Sequence, residues 1–513
     1  MACQPTIIVA ACAKRACSKS HPRRKLFLIC GSMAAKRIRR CRYLPSVQNT
    51  FRTNNRHRRK IMDQLTEQIA TFATELAFDH LGDDIAHLGG QHLIDALGCA
   101  LGAYDCEPAA IGRRLAAGQT PGMFAGRTLF QDATLPVEIA GFINACMIRN
   151  YDFNDRYPGG HPSDGLGSHL AMAGAMPLDG KKFLASVLVT YEIFIRLSEY
   201  SNMRHLGWDQ GFAVGISAAA GICNLLGLSF EQTANAIGMT ATSTVPLRVT
   251  RSGELTPWKN VATAFAARNG VFAATLAAEG MIGPGNAFEG RCGLFDNVTG
   301  EFEISKFPTK GGEFDLPKVL VKYWPLETNG QPVVWAGMEL KEKISAPDID
   351  KIESIEVLCD AFCKHEIGSE PEKWDPQTRE TADHSLPYIL AKSMIEGPLT
   401  IASFDEAQVR DPALRPLLNK ITVTADPEIE ALLPDTMMVR VLVKMADGTT
   451  HEVECANPPG HPANPMTAED IATKFRAQGE PVLGAERCGE VIEAWTNVAE
   501  VKDMQPLIHM MDF

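Results

Sequence analysis

The stretch Asn150-Tyr151-Asp152-Phe153-Asn154-Asp155-Arg156-Tyr157-Pro158-Gly159-Gly160-His161-Pro162-Ser163-Asp164-Gly165 interrupts a text that is otherwise helical. It gathers three aspartates, a histidine, an arginine and three glycines into one turn-rich segment. On either side, over 136–149 and 166–176, apolar residues recur at three- and four-residue spacing, as on a helix with a buried face. A polar loop held between two such helices is a place where reactive groups are displayed. His161 titrates near neutrality and is a candidate general acid or base. The plainer alternative is a solvated loop in which Ser163 or Asp164 caps the next helix, and composition alone slightly favours it.

Outward from the loop the same periodicity covers 64–81, 84–101, 180–200, 216–226, 231–239 and 261–279. Alanine is dense there and glycine frequent, which suits closely packed helices. The texture changes near residue 311. Short β-branched runs follow at 352–358, 420–424, 438–444 and 449–455, the last two flanking the hairpin signal Ala446-Asp447-Gly448. Helical patterns at 332–344 and 384–396 lie among them, and two more, at 467–478 and 486–498, close the chain. The expected fold is mainly α: a large all-helical domain over 62–310, a smaller α+β domain over 311–456, and C-terminal helices in 457–513 packing back on the first domain.

With 45% hydrophobic and 22% charged residues, 42 Gly and 31 Pro in 513, the composition is that of a globular enzyme rather than a collagen, a coiled coil or a disordered chain. No run approaches the roughly 18 consecutive apolar residues of a membrane span, so no membrane partner is expected. The net charge of −11 hides an asymmetry. Residues 1–61 hold 16 Lys+Arg and no acid, leaving 34 basic against 61 acidic side chains, a net −27, in the rest. Such a body is a poor partner for nucleic acid, and an anionic ligand would have to be met by cations gathered locally. The basic leader fits a transit peptide, a nucleic-acid-binding arm or an upstream extension with Met62 as the natural start. The last is preferred, because a clear helical pattern begins directly after Met62. The nine cysteines beyond the leader show no CxxC pair, which points to reduced thiols in the cytoplasm and gives no basis for a zinc or iron–sulfur site. A genuine transit peptide would make the location mitochondrial.

Asp152-Phe153-Asn154-Asp155 followed by His161-Pro162-Ser163 closely resembles the hallmark of the MmgE/PrpD family, the 2-methylcitrate dehydratases and cis-aconitate decarboxylases. Other stretches continue the likeness in order: Ser252 to Lys259 with Ala266-Ala267-Arg268-Asn269-Gly270, then Glu279-Gly280-Met281-Ile282-Gly283-Pro284. Phe288-Glu289-Gly290-Arg291-Cys292-Gly293, Asp383-His384-Ser385-Leu386-Pro387-Tyr388 and Gly460-His461-Pro462 follow. The likeness runs from about residue 62 to 500. It implies a helical domain with a smaller lid domain, a site between them, a homodimer, and chemistry on small polycarboxylates without metal or organic cofactor. It also implies roles: His161 for proton transfer, Asp152 and Asp155 positioning it or the substrate, and Lys259 as the site lysine. His384 and Lys322, the latter in Lys322-Tyr323-Trp324-Pro325, become candidate substrate contacts. On the residues alone Lys259 would read as a surface lysine and His384 as a helix-capping residue.

Two departures bear on the reaction. Where decarboxylase members carry a histidine, this chain has Asp209, in Gly207-Trp208-Asp209-Gln210-Gly211-Phe212. Where they carry a threonine after the acidic pair, it has Arg156, allowing for one residue fewer in the loop. Losing a potential cation weighs against decarboxylation, and the pattern is closer to dehydratase-type members. Dehydration needs a base beside a carboxylate, an acid for the leaving hydroxyl, and cations for the carboxylates. His161, Asp152, Asp155 and Lys259 are the catalytic candidates; Asp209, Arg251, Arg291, Lys322 and His384, with Arg248 nearby, are the binding candidates. The expected activity is dehydration of 2-methylcitrate or a similar hydroxy acid, which would place the chain in propionate catabolism. The alternatives are epimerisation or decarboxylation of a related acid such as iminodisuccinate or cis-aconitate, and a non-catalytic, metabolite-binding dimer.

Overall fold

In the computed structural model the first helix, α1 (Gln64–Glu75), begins where the Asp63 carboxylate accepts from the amide of Thr66 at 2.8 Å. The same side chain accepts from the amide of Phe288 at 2.8 Å, so one N-cap also ties the helix to a distant turn. The structure describes residues 62–513; the leader, and the choice among its three readings, lie outside the described residues.

The helices that follow are α2 (Asp83–Gly102), α3 (Glu107–Ala116), α4 (Val137–Arg149), α5 (Gly167–Ala173), α6 (Gly180–Tyr200), α7 (Gly211–Leu226), α8 (Phe230–Ser243) and α9 (Trp258–Ala278). The alanine- and glycine-rich text becomes close packing: α9 lies along α7, α4 and α8. A Cβ on Gly270 would stand 2.1 Å from the carbonyl oxygen of Gly215, so this crossing needs glycine. By length and composition α9 could cross a membrane; here its buried face lies against other helices and carries Lys259, Asn260 and Thr263.

The first region is not all-helical, contrary to expectation. An antiparallel pair, β1 (Ala125–Arg127) with β2 (Thr134–Pro136), packs beside α4 and α5. Strands of three residues are too short to show alternation. The helix expected over 64–81 ends at Glu75 and gives way to a 3₁₀ turn, Phe78–His80. That expected over 216–226 starts earlier, at Gly211, whose amide donates to Asp209 Oδ1.

The β-branched runs form β3 (Ile352–Cys359), β4 (Ile421–Ala425), β5 (Met438–Met445) and β6 (Thr450–Ala456). They make one sheet in the order β4-β3-β5-β6, with β3 and β4 parallel and the other pairs antiparallel. Gly448, at φ 89°, turns the β5–β6 hairpin. Helix α10 (Gln331–Lys343) covers this sheet, α11 (Ala361–Ile367) adjoins β4, and α12 (Leu386–Glu396) packs on α10.

Buried apolar side chains fall into two clusters. One draws on Leu65 to Val319 and again on Ile471 to Met511; the other runs from Trp324 to Cys455. Helices α13 (Ala468–Leu483) and α14 (Ala485–Thr496) therefore bury Phe475 and Trp495 in the first cluster, against α2. All nine cysteines among the described residues are free thiols and only Cys292 is exposed. The link between the clusters, near residue 320, runs beside the 150–165 loop.

Candidate active site

Helix α4 delivers Arg149 at its C-terminal end, and the chain then turns at Asp152, whose φ of 48° lies in the left-handed region. Aspartate tolerates this conformation better than most residues, and strain of this kind concentrates at functional sites. Beyond it the backbone of Arg156 pairs with that of Leu320 in both directions, at 2.7 and 2.8 Å. That pairing draws Lys322 to the loop. Tyr157 and Gly160 close a tight turn on each other, at 2.9 Å both ways. At its corner Gly159 has φ 106°, and a Cβ there would strike Ser198. The loop is buried, not solvated. Ser163 and Asp164 do not cap α5: Ser163 donates to Asp155 Oδ1 at 2.6 Å, while Asp164 accepts from Asn154 at 2.9 Å.

The Asp152 carboxylate is the hub. Arg149 lies 2.9 Å from Oδ1, Lys259 Nζ 3.2 Å from Oδ2, and Lys322 Nζ donates to Oδ1 and, at 2.8 Å, to the backbone carbonyl. Nε2 of His161 is 3.6 Å from Oδ1 and Nε2 of His384 is 3.5 Å from Oδ2. His161 and Lys259 thus face the same carboxylate, from the loop and from α9. Burial would raise the Asp152 pKa; the charges of Arg149, Lys322 and Lys259 outweigh it and hold the group well below the usual carboxylate range.

His161 Nδ1 lies 2.6 Å from the Asp155 carbonyl oxygen. A carbonyl can only accept, so Nδ1 carries the hydrogen and Nε2 keeps its lone pair. Burial, and then the charges of Arg149 and Lys322, press this imidazole well below its ordinary pKa. It is a neutral ring with a free lone pair, beside a carboxylate that would stabilise it once protonated. Burial pushes the Lys322 ammonium down to about 8 despite the pull of Asp152. Burial and the Lys259 charge bring His384 down to about 4.

Asp152, Asp383 and His384 bring ligand atoms within 4.8 Å of one another, a spacing suited to a divalent cation. Lys259 Nζ, however, reaches all three: 2.9 Å to Asp383, 3.0 Å to His384 and 3.2 Å to Asp152. Its ammonium already fills the place a metal ion would take.

The other candidates separate clearly. Asp155 turns its carboxylate away from the cleft to accept from Ser163 and from Tyr191, the latter at 2.6 Å, and meets His161 only through its backbone. Asp209 lines the cleft but is held by Arg251, with Nε at 2.5 Å, so it orients Arg251 and leaves little of itself for an anion. Arg291 is a correction: it is exposed, in the turns before residue 294, and does not line the cleft. Its nearness to the family motif in sequence does not carry over into space.

Counting the solvent at its mouth, the cleft has about 440 Å³ of empty space. It is lined by six cationic side chains (Arg149, Arg156, Arg204, Arg248, Arg251, Lys322) and four carboxylates (Asp152, Asp209, Glu327, Glu366), with His161 and His384. Cations gathered in an otherwise acidic protein make a site for a multiply charged anion. Arg149, Arg204, Glu327, Glu366 and the Asp383 carboxylate escaped the sequence reading. Arg204, Glu327 and Glu366 stand outside the quoted motifs and meet only through the fold; the signals for Arg149 and Asp383 were their places beside the loop and beside His384.

Models of two protein domains match this chain: the MmgE/PrpD N-terminal domain over residues 67–306 and the MmgE/PrpD C-terminal domain over 324–497. The chain belongs to the MmgE/PrpD family. Among curated members it is 28% identical to the 2-methylcitrate dehydratase of Escherichia coli (strain K12), across 72% of this chain and 80% of that one. It is 24% identical to the cis-aconitate decarboxylase of Mus musculus, across 86% and 91%. It is 28% identical to the alkylcitrate dehydratase phiI of a fungus (strain ATCC 74256), across 80% and 87%. For this family member the two domain matches meet near the 320 segment, where the apolar clusters also divide.

Proposed function

We propose that the protein is a lyase that dehydrates a small hydroxy polycarboxylate, 2-methylcitrate or a close analogue, by general acid–base catalysis. The observation that carries this reading is a neutral imidazole, its Nε2 lone pair free, set near a buried ammonium with a pKa of about 8 in a cation-rich cleft. His161 takes the proton from the carbon beside a carboxylate. The electron pair of the broken C–H bond forms the C=C bond as the C–O bond breaks, and Lys322 donates a proton to the departing hydroxyl, releasing water. Asp152 stabilises the imidazolium, and Lys259 holds Asp152 in place. The cleft arginines neutralise the substrate carboxylates and the charge that builds beside them. The part built on the four-stranded sheet, which supplies Glu327, Glu366 and His384, acts as the lid. The dehydratase names among the relatives support the reaction class. The pairing of Asp209 with Arg251 supports it against decarboxylation, because that acid lowers the charge available to a developing carbanion.

The test is turnover of 2-methylcitrate, citrate, cis-aconitate and iminodisuccinate by the purified chain. Rising ultraviolet absorbance from a new C=C bond without CO₂ release is the expected result. CO₂ from cis-aconitate, or loss of optical activity without a new double bond, would replace dehydration with decarboxylation or epimerisation.

A further inference from the structure

Five of the six cations lining the cleft already have a resident carboxylate. Arg149 and Lys322 pair with Asp152, Arg204 and Arg248 with Glu366, and Arg251 with Asp209. Arg156 is the exception: among the described residues its guanidinium has no ion pair, and its Nη1 is buried without a hydrogen-bond partner. The residue is 9% exposed, and its backbone is fixed on both sides by Leu320. Glu327, a carboxylate of the same cleft, is already engaged: it accepts from the amide of Asn329 at 2.6 Å and from the side chain of Asn329 at 3.2 Å. A buried guanidinium without a partner is costly unless something supplies one. Its planar fork of donors matches a carboxylate.

We propose that Arg156 is the carboxylate subsite that sets specificity, binding a substrate carboxylate remote from the reacting carbon and thereby selecting tricarboxylates over dicarboxylates. The inference rests on the polycarboxylate reading of the cleft and names the group that reads the third charge. The neighbouring cations, each shared with an acid of the protein, serve the carboxylates closer to His161.

The test is a binding cycle independent of turnover. Titration calorimetry with the full chain would compare propane-1,2,3-tricarboxylate with methylsuccinate, which is the same molecule without one terminal carboxylate. In Arg156→Gln the affinity for the tricarboxylate should fall about ten-fold or more, as for loss of a charge-assisted pair, and the affinity for methylsuccinate should fall much less. Arg156→Lys, which keeps the charge and loses the fork, should fall between, and carries the same test if the glutamine variant does not fold. Equal weakening of both ligands, or no weakening of either, would overturn the subsite. Wild-type protein that binds neither ligand would overturn the polycarboxylate reading itself. Wild-type protein that binds both, with the expected selectivity, but forms no C=C product would overturn only the dehydration.

Discussion

Asp152 shows how one residue can organise a site. Its left-handed backbone aims the carboxylate back toward Arg149 while leaving room for Lys259 and Lys322 on its other sides. The imidazole of His161 sits beside this cluster and stays neutral because burial, and then the charges of Arg149 and Lys322, disfavour its protonated form. His161→Ala should therefore lower kcat by about 10²–10⁴-fold with little change in melting temperature, as steady-state kinetics beside a thermal melt would show. Near-native turnover would remove His161 from the reaction. If Lys322 is the acid, it must keep its proton. Its pKa of about 8 then predicts that activity holds below that pH and falls as pH rises through it. Lys322→Arg, which cannot release a proton at these pH values, should lower kcat far more than it raises KM and abolish that alkaline limb. At this scale the sequence was most legible where residues are contiguous: Asp152, Asp155 and His161 stand in one loop. Lys259, Lys322 and His384 were visible only through the family resemblance. Arg204 and Glu366 carried no local signal, since their pairing joins the segment before α7 to α11.

At the scale of elements, α13 has a role that its position in the chain conceals. Lys474 Nζ donates to the carbonyls of Phe153 at 2.7 Å and Lys322 at 2.8 Å, and its third partner is Asp95 on α2, at 2.5 Å. One ammonium thus clamps the loop and the Lys322 segment from behind. Removing it in Lys474→Met would leave Asp95 buried without a counter-ion, a loss of about 3–5 kcal/mol. Burial already raises the Asp95 pKa, so protonation would relieve part of the loss. The melting temperature of the variant should therefore fall more at pH 8 than at pH 5, and adding Asp95→Asn should restore part of it. A second element-scale expectation concerns the helix crossing. Gly270→Ala would place a methyl against the Gly215 carbonyl and should destabilise by about 1–3 kcal/mol in urea unfolding. Long periodic helices and the four strands of the sheet were legible because each buries one face over several repeats. The β1–β2 pair was not, its strands of three residues being too brief for any period to emerge.

For the whole molecule, the buried imidazoles set a limit on acid stability. Burial holds His161 well below, and His169 and His384 near about 4, against an ordinary value of 6.5. With each folded pKa below the unfolded one, the unfolded chain takes up protons first. Stability is then full above about pH 6.5 and is lost as pH falls toward about 4. The depressed carboxyls of Asp152 and Asp209 act in the same direction. Melts should show a midpoint that is level from pH 8 to about pH 6.5 and falls from there toward pH 4; a flat profile over that lower range would mean that these rings are not held neutral.

The clamp at position 474 also has a consequence in time. The loop beginning at Asn150 leaves the ribosome long before the lysine that steadies it, and the β-rich segment with His384 is made in between. A nascent chain can thus form helices and bury most of its first core while the pocket still lacks its rear support. The pocket has its rear support only once residue 474 has been made and has packed across the loop. Proteolytic loss of the segment that carries Lys474 would silence the enzyme without touching a single group that meets the substrate.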